Sequence, residues 1–133
     1  MRLARCVCAA LLILLTESAA EAQFVAQRLI SKNITSGGTD CSVATNCQSL
    51  PDVFRTRDGT IQISGTWVGT VQFEGTVDGT NWASLLMTPL AGGATVTSAT
   101  GNNVWTFAAA LVGVRVRCST FTSGTIVVSI VAR

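Results

Sequence analysis

The 133-residue sequence contains no histidine and no tyrosine. Without histidine the chain lacks the usual general base, the commonest metal ligand and the usual partner of a nucleophilic serine or cysteine. No C-x-x-C spacing is present, so the cysteines form no recognisable zinc motif. No glycine-rich stretch leads into a helical pattern, which removes the phosphate-cradling motifs. Charge is scarce as well: charged residues make up 12% of the chain and apolar ones 48%, the reverse of a disordered composition. The net charge of +2 carries no basic stripe able to neutralise several phosphates, so nucleic acid is not an expected partner.

The apolar excess is concentrated first at the amino end. Arg2 and Arg5 flank the start of an apolar run from Cys6 to Leu15, followed by small residues ending in Ala20-Glu21-Ala22. This order reads as a secretory signal peptide, residues 1–22, cleaved before Gln23. As a helix the run would span only about 15 Å, half a bilayer core, so no stable membrane span is expected after cleavage. The expected location is secreted or periplasmic, which permits disulfides. Cys41 and Cys47 are placed to close a short loop, whose pairing would contribute roughly 2 kcal/mol. Cys118 lies in the apolar register of VGVRVRC and reads as a buried free thiol, with a bridge to Cys41 or Cys47 as the alternative. Asn33-Ile34-Thr35 fits a glycosylation sequon, which has meaning only in a host that glycosylates exported proteins.

From about Ile61 onward, apolar and polar residues alternate with period two. Ile61 and Ile63, then Val71 and Phe73, then Val112, Val114, Val116 and Cys118 fall on single faces, and no helical stripe follows the amino-terminal segment. The expectation is an all-β domain, residues 58–133, built as a two-layer antiparallel β-sandwich of jelly-roll or immunoglobulin-like type. Residues 23–57 read as a poorly patterned arm in which FVAQRLI is a candidate edge strand. Two stretches echo each other, IQISGTWVGTVQF and VRVRCSTFTSGTIVV, aligning on Gly69-Thr70 and Gly124-Thr125. Each reads as a hairpin whose turn carries an aromatic, Trp67 or Phe121, with the two hairpins facing each other across one core. ATVTS and VWTF are candidate strands between them, separated by a turn at Gly101-Asn102-Asn103.

The chemistry-bearing residues gather in FEGTVDGTNW. Outside residues 1–22, Glu74 and Asp78 are the only close carboxylate pair, but glycosidase work needs them facing each other across a cleft. Their simpler reading is a loop in which Asp78 caps Thr80 or Asn81, and a Glu74 that is solvated or pairs with an arginine on a neighbouring strand. The same loop offers oxygen ligands for a weak structural calcium, although it lacks the ligand density of a dedicated calcium loop. No catalytic residue, metal ligand or cofactor is assigned. Trp82 and Trp105 are expected in the core, and Trp67, at a glycine-flanked turn, is the tryptophan expected at the surface. Arg115 and Arg117 must project together from the face opposite the core. The candidate contact residues are therefore Trp67, Asp78, Thr80, Asn81, Arg115 and Arg117.

The series GTWVGTVQFEGTVDGTNW, GNNVWTF and VRVRCSTFTSGTIVV resembles the small β-sandwich domains of tailed-phage virion proteins and related phage-like proteins. The resemblance covers roughly residues 58–133. It implies a non-catalytic structural or binding role, as decoration, tail, fibre or adhesion component, with protein partners or further copies of the chain. It carries no catalytic residues across, and it places the chain on a virion surface as the alternative to secretion. The competing class is a secreted glycan-binding or adhesion module, which would present two tryptophans on one face.

Overall fold

The computed structural model describes residues 28–38, 45–50 and 56–133. Among the described residues eight strands occur: β1 (Arg28–Ile34), β2 (Cys47–Leu50), β3 (Thr56–Thr76), β4 (Ala83–Ser84), β5 (Thr88–Pro89), β6 (Ser98–Ala99), β7 (Asn103–Leu111) and β8 (Gly113–Ala132). They form one antiparallel sheet in the order β1-β8-β3-β7-β5, with β2 on β8 and β4 and β6 on β3. Two strands dominate. β3 and β8 run for 21 and 20 residues and pair along nearly their whole length, from Gly59 opposite Ala132 to Thr76 opposite Gly113.

This pairing corrects the expected pair of hairpins. The two echoing stretches lie within single continuous strands hydrogen-bonded to each other, and Trp67 sits opposite Gly124, not at a turn. The glycines expected to turn the chain instead accommodate bulges. Register shifts fall between Val68 and Gly69 and between Thr70 and Val71, leaving β8 one extra residue at each. A single slip would turn the following side chains to the wrong face, whereas two restore the original face. Ile126, Val128 and Ile130 on one side of the bulges, and Val114, Val116 and Cys118 on the other, are accordingly all buried. Gly124 has φ +97°, and a Cβ there would strike the carbonyl oxygen of Thr66 on β3, so both its conformation and its lack of a side chain are used.

Bulges bend and twist the strands that carry them. The bend is visible in one contact. Phe73 lies beyond the bulges on β3, while Trp105 lies on β7 opposite Ile61, before them. Extended, the twelve residue steps from Ile61 to Phe73 would span about 40 Å. Yet the Phe73 and Trp105 rings meet at a centroid distance of 5.1 Å, tilted by 54°. Apolar residues from both ends of the long strands thus enter one core, in which Ile61, Ile63, Val71, Phe73, Ile126, Val128 and Ile130 are fully buried. Each such side chain contributes about 1.5–3 kcal/mol of hydrophobic stabilisation.

Described residues before position 58 also join the sheet. β1 pairs with β8 from Arg28 opposite Ala132 to Ile34 opposite Ile126, and β2 pairs with β8 from Cys47 opposite Arg117 to Leu50 opposite Val114. Ile34 is fully buried. Cys47 is buried and disulfide-bonded; Cys41, its expected partner, and residues 1–22 lie outside the described residues. Cys118 is a buried free thiol whose Sγ donates to the Thr120 carbonyl at 3.2 Å, and burial raises its pKa. Among the described residues no helix is long and apolar enough to cross a membrane.

Candidate functional site

The FEGTVDGTNW segment spans the end of β3, a tight loop and the start of the chain leading to β4. Glu74 stands opposite Arg115 and Gln72 opposite Arg117, so period-two geometry puts all four side chains on the face away from the core. Glu74 accepts from both arginines. Its Oε2 takes Nε–H of Arg115 at 2.5 Å, and its Oε1 takes Nε–H and Nη2–H of Arg117 at 3.0 and 2.9 Å. Nη2 of Arg117 also donates to the side-chain oxygen of Gln72. Burial pushes the Glu74 carboxyl up, but the hydrogen bonds and positive charges of Arg117 and Arg115 outweigh it and hold the pKa below the usual carboxylate value. The side chains are only 11–17% exposed, so Arg115 and Arg117 are largely committed to Glu74.

Arg115 makes a second contact that corrects the expected place of Trp82. Its guanidinium lies over the indole, 4.2 Å from the ring centroid, and Trp82 is half-buried outside the core. Trp105 is buried as expected. Trp67 is also half-buried; its Nε1–H donates to Asn102 Oδ1 at 2.8 Å, and the Asn102 amide donates to the Gly65 carbonyl at 2.8 Å, fastening the Gly101-Asn102 turn to β3 just ahead of the first bulge. Two exposed tryptophans on one face, the mark of the glycan-module reading, are therefore not present among the described residues.

The loop is ordered by Asp78. Its Oδ1 accepts from the backbone N–H of Asn81 at 2.7 Å and of Thr80 at 2.8 Å and from the Thr76 hydroxyl at 3.0 Å, while Oδ2 accepts from the Asn81 amide at 2.7 Å. Thr76 Oγ1 in turn accepts from the N–H of Gly79 at 3.0 Å. These donors, Asn81 foremost, hold the fully exposed Asp78 carboxyl far below its ordinary pKa. Gly79 takes φ +77° at the tip. Thr80 and Asn81 are exposed. Beside the loop lies a cavity of about 330 Å³, lined by Thr76, Asp78, Gly79, Thr80, Trp82, Val112 and Gly113. Among the described residues no group of three or more His, Cys, Asp or Glu side chains is arranged to hold a metal.

A second, larger concavity of about 540 Å³ opens on the outer face of the other half of the sheet. Thr88, Thr106, Thr60 and Val131 form a row across β5, β7, β3 and β8. An exposed pair stands at its rim, with Arg133 Nε donating to Asp58 Oδ1 at 2.7 Å. Nothing in the sequence marked these threonines, because only the strand register makes them neighbours.

No family model and no curated protein matches the chain. Among solved structures, the crystal structure of SPBc2 prophage-derived protein YomS matches with a TM-score of 0.59 and 19% identity, covering 81% of this chain and 96% of that one. The fold is shared with a prophage-derived protein. At that level of identity the likeness concerns the fold. It agrees coarsely with the phage-like resemblance of the strand motifs, and it extends over almost all of the prophage-derived chain.

Proposed function

We propose that this chain is a non-catalytic structural protein of phage type, acting by assembly with protein partners or further copies of itself. The observation that carries this reading is the match of the fold to nearly the whole of a prophage-derived protein, YomS. Two features support it. The long strands fold their apolar faces into one core, a layout we read as a two-layer sandwich formed by bending a single sheet. The outer face around Thr60, Thr88 and Thr106 has hydroxyls and small apolar groups in a row, with charge only at the Asp58–Arg133 rim. Such a face loses little desolvation energy when it is covered, because few charges must leave water. In this reading residues 1–22 either direct export and are removed, or remain as an apolar segment within a particle.

The test is to express the full chain in a bacterium, determine its mature amino terminus and measure its native mass by sedimentation. A defined oligomer or particle that Thr106→Arg dissociates is the expected result. A chain that stays monomeric into the millimolar range refutes the self-assembly reading. A product beginning at Gln23 in the periplasm or medium favours the secreted adhesion module over the virion component.

A further inference from the structure

The cavity beside Trp82 combines three features. It has an aromatic wall, the half-buried indole of Trp82. It has an ionised acceptor fixed in space, because Asp78 is bound to its own loop through four hydrogen bonds and cannot swing away. Thr80, an exposed residue, also lines the cavity. The volume of about 330 Å³ lies at the small end of the range for small-molecule sites.

The chemistry of these walls selects a ligand class. Arg115 covers one face of the indole, so the ring is held rigidly, at little further entropic cost on binding. An indole face attracts weakly polarised C–H groups through its π electrons. Asp78 Oδ2 has a single hydrogen-bond donor, the Asn81 amide, and a carboxylate oxygen accepts two, leaving one position for a ligand hydroxyl. A ring with C–H groups on its face and hydroxyls on its rim matches both. An anionic ligand does not, since Asp78 keeps its charge at any physiological pH and Arg115 is already engaged with Glu74. We propose that the cavity between Trp82 and the Asp78–Asn81 loop binds a neutral pyranose unit of a glycan, stacked on the indole and donating a hydroxyl to Asp78. This site lies at the opposite end of β3 from the threonine row and does not rest on the assembly reading.

The experiment follows the indole N–H resonances of the full chain by NMR during titration with maltotriose, cellotriose and chitotriose, with glucuronic acid as the anionic control. At least one trisaccharide should shift Trp82 at millimolar concentration while leaving Trp67 and Trp105 in place. Thr80→Arg, an exposed change that crowds the cavity mouth, should weaken that response about tenfold or more, and Asp78→Asn should weaken it severalfold. Retention of the wild-type resonances of Trp67 and Trp105 verifies that each variant is folded. The proposal is overturned if no trisaccharide moves Trp82, if Thr80→Arg binds as the wild type does, or if glucuronic acid binds equally well. Sedimentation of Thr80→Arg should match the wild type, which separates failure of this site from failure of assembly.

Discussion

Replacing Glu74 with glutamine removes one negative charge and leaves the shape of the side chain almost unchanged. Arg115 and Arg117 are alternate residues of one strand, so their side chains start roughly 6–7 Å apart. At that spacing two positive charges repel by about 2.5 kcal/mol at an effective dielectric of about 20. In the wild type the Glu74 carboxylate lies between them, 2.5 Å from one and 2.9 Å from the other. Glutamine can still accept arginine hydrogen bonds through its one amide oxygen but neutralises neither charge. Fully buried pairs broken in this way cost about 3–5 kcal/mol, while exposed ones cost 0–1. With 11–17% exposure, and arginines long enough to swing toward water, Glu74→Gln should cost about 2–3 kcal/mol. Urea denaturation at neutral pH measures this as a fall of about 1–2 M in the midpoint. The dependence on pH gives a second readout. Because the folded carboxyl titrates below the reference value of 4.5, its contribution is complete above that value. It is lost as pH falls through the folded pKa, and the variant should lack that part of the acid slope. A Glu74→Gln midpoint within about 0.5 kcal/mol of wild type would refute the reasoning, since it would mean that water already screens the two guanidiniums.

Gly124→Ala should destabilise by at least about 2 kcal/mol in the same assay, because it combines a positive φ with a collision against the β3 backbone; alanine at the open Gly79 tip should cost less. Phe73→Leu should cost about 1–2 kcal/mol, since it removes the ring contact with Trp105 and leaves a small void, and thermal unfolding checks it. Cys118 should resist a thiol-specific reagent in the native protein and react at the rate of global or local unfolding, because burial both hides the thiol and raises its pKa. A fast stoichiometric reaction under native conditions would contradict its placement in the core.

Alternation with period two was enough to identify strands, because it is a local property of which side chains face the same way. It placed Ile61, Ile63, Val71, Phe73 and Cys118 on the buried face and Arg115 and Arg117 on the other, where they lie. The Asp78 loop was equally legible, since an Asp followed by Gly, Thr and Asn satisfies its own backbone within four residues. The glycine-threonine pairs were not, because glycine serves a hairpin turn and a bulge equally well. Which of the two forms depends on what lies opposite, and here Trp67 meets Gly124 across a strand pair separated by more than fifty residues of sequence. The same applies to Trp82, whose apolar neighbours suggest the core, although the cation that covers it lies on β8. Sequence therefore determined the alternating stretches from Ile61 onward, the faces of their core residues and the loop, whose energies are local. Tertiary structure decided the continuity of β3 and β8, the bend that brings Phe73 to Trp105, and the walls of both cavities, because long-range register alone makes those residues neighbours.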